Sequence, residues 1–468
     1  MIKTTLIGHA SLLIQSKETT IVTDPVWSDY QWEELQVLCP SIVLERDKIP
    51  PVDVVNISHR HQDHFDVRTL AYLAQNGNVL KPDATILVPN DKILIDVLKE
   101  LEFKNIRVVT DFEPMQFKDV TLTPTPSRNQ ISTSDDEYPE HGLLVNDGEV
   151  TVWNEVDTLV DPETIERIRG LYGQIDLAHV RFVPLIEGNF SYHKSTNLPL
   201  SEYCTFLNVV KTLGPKMVVP GAAFFRYRDE VGFLNQYSFP TTMDQFIRDL
   251  AVFCPEVPCS PFLHGDVMHV TTDGVRIEKQ SSDFVRIREN DGHRVAFKPV
   301  MEVPPIRTRT TDPKQHEKEM KVIRDFIENH LMERILRSEM LKFWLHFQVV
   351  TQLEVFGQEG SEVWGIDFAQ DKLRVQKGDL GKINIYEGIG SSELCALIEG
   401  TTSWDYVTLC GNYRTFHNVY RVTDGSLELP PEDLSNYSLE PLMEAFPWDE
   451  AMNREKFMKD VRRWKGKA

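Results

Sequence analysis

The sequence predicts an α/β fold of mixed sheets with a smaller α+β domain behind it, and three observations predict this. From residue 1 to about 275, short β-rich runs alternate with helical segments. Residues 276–311 are rich in charge, proline and threonine, ending in Pro304-Pro305-Ile306-Arg307-Thr308-Arg309-Thr310-Thr311, as a connecting segment would be. Beyond them a helical period resumes and is followed by alternating pairs. At 468 residues the chain has core enough for two or three domains. The expected division is 1–275, a connector over 276–311, and 312–468 as a C-terminal α+β domain of unknown role.

In chain order, Thr4 to Ile14 and Thr20 to Thr23 read as a strand pair turning at Ser16-Lys17-Glu18. Val52 to Ser58 is an apolar run ending in polar residues, which suits a buried strand feeding a functional loop. Strands are predicted at Thr85–Val88, Arg107–Val109, Val120–Thr123, Gly142–Val145, Val150–Trp153, Phe182–Leu185 and Met217–Val219. Helices are predicted over Val67–Gln75, Asp91–Leu101 and Ser201–Thr212. Asp312 with Pro313 gives an N-cap and a first-turn proline, and Met320, Ile323, Phe326, Ile327, Leu331 and Ile335 keep one helical face. Trp364, Ile366 and Phe368 then alternate as a strand does.

Fifty basic residues against 71 acidic ones leave a net charge of −21, a field that repels phosphate backbones and anionic lipid heads. Nucleic acid and membrane are therefore not expected partners. The six cysteines form no C-x-x-C pair, so reduced, buried thiols are expected. With no signal-like leader and no run of 18 apolar residues, the expected setting is the cytoplasm.

Chemistry concentrates in His59-Arg60-His61-Gln62-Asp63-His64, an H-x-H-x-D-H cluster directly after the buried strand. Two histidines two apart at a strand end point to the same side and can share one ion. Asp63 and His64 follow where the chain turns toward a helix, and they can reach a second ion about 3.5–4 Å from the first. Imidazole suits zinc, iron or copper, and a carboxylate beside it suits harder ions. The competing account is a charged surface loop with incidental histidines. No G-x-S-x-G elbow, phosphate loop or dinucleotide fingerprint competes for the chemistry.

With Gly8-His9-Ala10-Ser11 and Thr23-Asp24-Pro25 ahead of that motif, and Trp153-Asn154-Glu155-Val156-Asp157-Thr158 after it, the sequence resembles the metallo-β-lactamase superfamily over about residues 1 to 275. The resemblance implies a four-layer αββα fold and makes Asp157 the carboxylate that bridges two ions. Two histidines usual in the superfamily's hydrolases are absent: the chain reads Pro126-Ser127-Arg128-Asn129-Gln130 and Val219-Pro220-Gly221-Ala222 where they would stand. The segment Asp135 to His141 offers substitutes, Glu140 first and His141 second. His9 is expected behind the site or in packing. His193, His264 and His269 are further candidate ligands or proton-transfer groups, and Tyr192 and Arg226 could meet an anionic substrate.

More narrowly, the motif, the segment before Gly142, the Val218–Phe225 run and Leu263-His264-Gly265-Asp266 are similar to the metallo-β-lactamase-like domain of CMP-N-acetylneuraminate hydroxylases. That similarity implies a non-haem diiron oxygenase acting on a small molecule. Its metal ligands would be His59, His61 and Glu140 on one ion, Asp63 and His64 on the other, and Asp157 between them, with Asp63 and His64 nearest the catalysis. Two divalent ions are implied, iron ahead of zinc. The C-x-H and C-x-x-H pairs of a Rieske cluster are absent, so electrons would come from a separate electron-transfer protein. The alternatives are a dinuclear hydrolase of phosphodiesters, lactones or thioesters, and a non-catalytic metal-binding protein.

Overall fold

The computed structural model describes residues 1–128, 139–184, 186–295, 302–431, 439–446 and 450–467. They fall into two units: 1–185 with 197–299 and 457–468, and 186–196 with 300–456.

The first unit is built on two sheets. One has eight strands in the order Gly274–Glu278, Val267–Thr271, Ile2–Gly8, Ser11–Gln15, Thr20–Thr23, Val52–Asn56, Leu80–Val88, Ile106–Val108. The other has six: Met115–Phe117, Val120–Pro126, His141–Asn146, Thr151–Asn154, Leu177–Arg181, Met217–Gly221. Strand periodicity explains the layering. Leu6, Leu12, Ile14, Ile21 and Val54 meet Leu122, Leu143, Val145, Val152 and Leu177 in one core between the sheets. Their neighbours Ile7, Leu13, Val22 and Val55 point the other way, onto Leu70, Leu73, Ile93, Leu94 and Val97 of two helices. Those helices, Val67–Gln75 and Lys92–Glu100, start where Asp66 and Asp91 accept backbone N–H groups of the first turn. On the far side, Pro162–Tyr172, Leu200–Leu213 and Met243–Phe253 cover the six-stranded sheet. Helix, sheet, sheet, helix is the expected αββα order.

Several expectations need correction. Thr4 to Ile14 is two strands, with His9 at φ 47 in the reversal between them. The strand expected at Phe182–Leu185 is Leu177–Arg181 instead, and Leu185 lies outside the described residues. Residues 276–295 are no connector, because Val285–Glu289 pairs with Ser41–Leu44 inside the first unit. The chain also returns to that unit at its end: Phe457, Met458 and Val461 of the helix Glu450–Trp464 pack with Phe65 and the helices over the eight-stranded sheet.

The second unit has a five-stranded sheet in the order Gln376–Lys377, Ser361–Asp367, Val350–Phe356, Ile385–Gly390, Tyr413–His417. The helix Pro313–Asn329, capped by Asp312, packs its Met320, Ile323, Phe326 and Ile327 face into this unit's own core. Residues 186–196 belong here too, through Ser191, whose carbonyl accepts from Thr415 N–H at 2.7 Å. Among the described residues, no helix is long and apolar enough to cross a membrane, and the six cysteines are free thiols.

Candidate metal centre

Parallel pairing of Thr20–Thr23 with Val52–Asn56 sets Thr23 opposite Asn56, so Asp24 and Ser58 leave the sheet side by side. Asp24 is fully buried and organises the loop. Its Oδ1 accepts Ser58 N–H at 2.7 Å, and its Oδ2 accepts Ser58 Oγ–H at 2.9 Å and His64 Nδ1–H at 3.0 Å. Each bond fixes a tautomer. With its Nδ1 proton on Asp24, the neutral His64 ring turns a bare Nε2 inward. Ser58, whose proton is on Asp24, accepts His59 Nδ1–H at 2.9 Å, which bares His59 Nε2 in the same way.

The second sheet delivers the opposing carboxylate. After Thr151–Asn154 the chain turns through Val156 at φ 58, a left-handed conformation that is costly for a β-branched residue. Asp157 follows, its Oδ2 3.2 Å from His64 Nε2 and 4.0 Å from His59 Nε2. Two donor groups result, His59–His61–Asp157 and His9–Asp63–His64, each with its ligand atoms within 4.8 Å of one another. In the first, His59 Nε2 and His61 Nδ1 are 2.9 Å apart. In the second, Asp63 Oδ2 lies 3.7 Å from His64 Nε2 and 3.1 Å from His9 Nε2. His9 Nδ1 accepts Phe224 N–H at 3.3 Å, so the neutral ring carries its proton on Nε2, toward Asp63. His9 thus steadies Asp63 from behind, and His64, Asp63 and Asp157 face the second position.

The charges fit cations. Burial works against His64 ionising, yet Asp157, Asp63 and Asp24 hold its pKa well above the ordinary histidine value, so that Nε2 keeps a proton toward Asp157 until a cation displaces it. Burial likewise opposes the Asp157 carboxylate, but His64, Arg181 and His59 keep it ionised far below the usual range. His59 is pushed well down by burial and by His64 and His61. Asp63 Oδ1 and Asp157 Oδ1 are buried with no hydrogen-bond partner among the described residues, an arrangement that costs free energy unless a cation meets them. Bare imidazole nitrogens and unpartnered carboxylate oxygens converging at one place match two divalent ions.

Around this centre, Arg181 is 2% exposed. It donates Nη1–H to the Asp157 carbonyl at 2.8 Å, and its backbone N–H donates to Glu155 Oε2 at 3.0 Å. Burial lifts Glu155 to about 8, against the opposing pull of Arg181. Glu140 stays outside both donor groups. Its carboxylate accepts from Ser127 Oγ, and its pKa is raised by burial and by Asp157. His141 turns its Nε2 to Asn56 Oδ1 at 2.9 Å, and burial takes it down to about 4. Neither substitute joins the His59–His61 group. Residues 135–138 of the acidic segment lie outside the described residues.

The other candidates separate. His264 is buried behind His9, its Nε2 accepting His9 N–H at 3.3 Å. His269 pairs with Glu278 at the sheet edge, and Arg226 with Asp291 at 2.6 Å. His193 and Tyr192 belong to the second unit, against Phe416 and Tyr413. Sequence reading passed over His179. Its Nδ1 lies 2.8 Å from Asn154 Oδ1, and a Cβ on Gly221 would fall 1.8 Å from its Nε2. Gly221 stands where the superfamily's last histidine was missed, and a histidine of the neighbouring strand fills its side-chain space.

Comparison with known proteins bears on this geometry. Over 186 residues the chain is 27% identical to a putative Rieske 2Fe-2S iron-sulfur protein of Mycolicibacterium smegmatis, covering 38% of this chain and 33% of that relative. A UPF0173 protein of Pyrococcus abyssi is 25% identical over 170 residues, 36% of this chain and 65% of the relative. The chain thus spans about a third of the length of the first of these. Among solved structures, CmlA, a diiron β-hydroxylase from Streptomyces venezuelae, aligns at 17% identity and a TM-score of 0.38, covering 59% of this chain and 54% of that one. An isothiocyanate hydrolase from Delia radicum gut bacteria aligns at 16% identity and a TM-score of 0.41, covering 58% and 99%. The family model of the beta-lactamase superfamily domain matches residues 3–222, which include every donor of both groups. Over residues 3–222 the chain is thus similar to a beta-lactamase superfamily domain.

Proposed function

We propose that the first unit holds two divalent ions, iron ahead of zinc, and that the protein is a non-haem diiron oxygenase hydroxylating a small molecule. One observation carries the reading. His59, His61 and Asp157 form a group of two imidazoles and one carboxylate, the donor set that leaves positions open on iron in non-haem oxygenases. Bound iron in such a set supplies dioxygen activation. The chain's own residues do the rest. His59 and His61 would hold one ion, Asp63 and His64 the other, with Asp157 shared. Asp24 holds the Nδ1 proton of His64 and, through Ser58, that of His59, so that the inward nitrogens are the ones an ion would take. Arg181 fixes the Asp157 backbone, and Glu155, protonated near neutral pH, keeps a proton in reserve beside it.

The Rieske name of the mycobacterial relative and the resemblance to CMP-N-acetylneuraminate hydroxylases support iron. With no Rieske cysteine pattern in the sequence, a separate electron-transfer protein is part of the proposal. The test is metal analysis of the full chain expressed in iron-supplemented medium, together with oxygen uptake in the presence of a chemical reductant. Iron at two per chain with oxygen uptake is expected. Stoichiometric zinc without iron or oxygen uptake would overturn the reading. It would promote a second one, a hydrolase, which is favoured by the same three-donor group, since that group also suits zinc with a water in the fourth position. Turnover of phosphodiester, lactone or thioester probes without oxygen is the mark of that reading. Failure to bind any metal at micromolar supply would leave a non-catalytic protein.

A further inference from the structure

The second unit carries a hairpin whose two faces are reversed. Arg421–Thr423 and Ser426–Glu428 pair antiparallel around Asp424 and Gly425, with Arg421 opposite Glu428 and Val422 opposite Leu427. Alternation puts Arg421 and Glu428 on one face and Val422 and Leu427 on the other, where Tyr420 and Leu429 join them at the strand ends. The charged face is the engaged one: Glu428 Oε1 lies 2.7 Å from His346 Nε2, and Arg421 Nη1 lies 3.5 Å from Nδ1 of the same ring. The apolar face is open. Tyr420 is 44% exposed, Val422 71%, Leu427 60% and Leu429 64%, although Val419, just before them, is buried in this unit's core.

A hairpin on a soluble body ordinarily does the opposite, turning its apolar residues inward and its charges to water. A two-stranded ribbon is also marginal in water by itself. At these exposures the four side chains leave roughly 400 Å² uncovered, as large as the apolar patches that mark interaction sites. A standard dimer interface takes about 800 Å² from each partner, a little over half of it apolar. The patch supplies the apolar half of such an interface. Its neighbouring charges, Arg421 and Glu428, are held by His346 and give no bias toward a partner of either sign. An apolar face without that bias is complementary to itself, as a two-fold contact requires. The net charge of −21 disfavours an anionic lipid surface as the occupant.

We infer that this face joins two copies of the chain, hairpin against hairpin, about a two-fold axis. Each copy carries −21, so salt should strengthen the contact by screening the repulsion between them. Sedimentation velocity of the full chain at about 50 µM, in about 0.05 M and about 0.5 M sodium chloride, tests this. A dimer is expected, with a dissociation constant at least threefold lower at the higher salt. Val422→Thr combined with Leu427→Thr keeps the strand preference and removes apolar surface. It should raise the dissociation constant at least tenfold with the circular dichroism unchanged. Leu429→Ser, just outside the paired strands, should raise it at least threefold and decides the matter if the double change unfolds the hairpin. A monomer at both salt concentrations, or a dimer that these changes leave intact, would overturn the assignment. So would a monomer that pellets with phosphatidylcholine vesicles and loses that binding in Leu429→Ser, which would give the face to a lipid surface.

Discussion

Replacing Asp24 by asparagine tests whether this buried carboxylate sets the ligands. The change is nearly isosteric, yet Asp24 accepts three hydrogen bonds, from Ser58 N–H, Ser58 Oγ–H and His64 Nδ1–H. Asparagine can keep the first on its oxygen, and its NH₂ then faces Ser58 Oγ and His64 Nδ1 as a donor. His64 Nδ1 must become the acceptor, which moves the imidazole proton to Nε2, the nitrogen 3.2 Å from Asp157 Oδ2. That nitrogen is no longer a ligand. Loss of such an orienting partner weakens metal binding by about 10- to 100-fold, or ~1.4–2.7 kcal/mol. The second ion should suffer the full effect, and the first a smaller one through Ser58 and His59. Chelator competition on the full chain, with zinc or ferrous iron as probe, resolves the two affinities. Ser58→Ala provides the contrast, weakening the first ion more than the second. If Asp24→Asn stays folded and both ions bind within threefold of the unmodified chain, the tautomer argument is refuted.

Gly221→Ala should destabilise the first unit by about 3–5 kcal/mol, because its Cβ would fall 1.8 Å from His179 Nε2 and expel a ring bonded to Asn154; denaturant unfolding at neutral pH reads this. Burial raises Glu387 to about 8, so the folded unit keeps a proton that the unfolded chain releases above about pH 4.3. Its contribution is therefore full below that pH and declines, by an amount on the order of 4–5 kcal/mol, as pH rises toward 8. Relative to the unmodified chain, Glu387→Gln should gain stability between pH 5 and pH 8, and a constant difference across urea titrations at those pH values contradicts the assignment. Deleting residues 450–468 should cost the first unit roughly 5–8 kcal/mol, from three apolar side chains taken out of its core. Those side chains are Phe457, Met458 and Val461, and exposed apolar surface detected by dye binding, with a lowered unfolding temperature, is the expected readout. A cut near Asp312 removes the same helix, so it should weaken the first unit even though every metal donor precedes it.

The metal motif was legible because its context is local: an apolar strand, a polar loop and a capped helix follow one another within residues 52–75. The helices after Asp66 and Asp91 were legible for the same reason, since each carries its own cap. Pro162–Tyr172 opens with the same Asp-Pro signal as the helix after Asp312 and could have been found, though it buries only Thr164, Ile165 and Ile168. Leu177–Arg181 was misplaced because His179 and Arg181 interrupt its apolar run. Asn154 and the Asp157 carbonyl, distant in sequence, each take one hydrogen bond from those two groups within the buried strand. His9 was expected behind the site or in packing, and the fold brings it into the His9–Asp63–His64 group instead, through a reversal at φ 47 that no periodicity announces. Glu140 was chosen by proximity in the chain, and the sheet turns its carboxylate to Ser127 instead.

The return of residues 457–467 to the first unit has a consequence for biosynthesis. A ribosome completes both sheets and both donor groups by residue 299, yet one helix of the layer over the eight-stranded sheet is still untranslated. At about 5–20 residues per second, the intervening stretch takes on the order of 8–30 s to emerge. Through that interval the groove that receives Phe457, Met458 and Val461 is exposed in the nascent chain. It is a place where a chaperone could hold the protein, and where early release of the chain would leave it sticky.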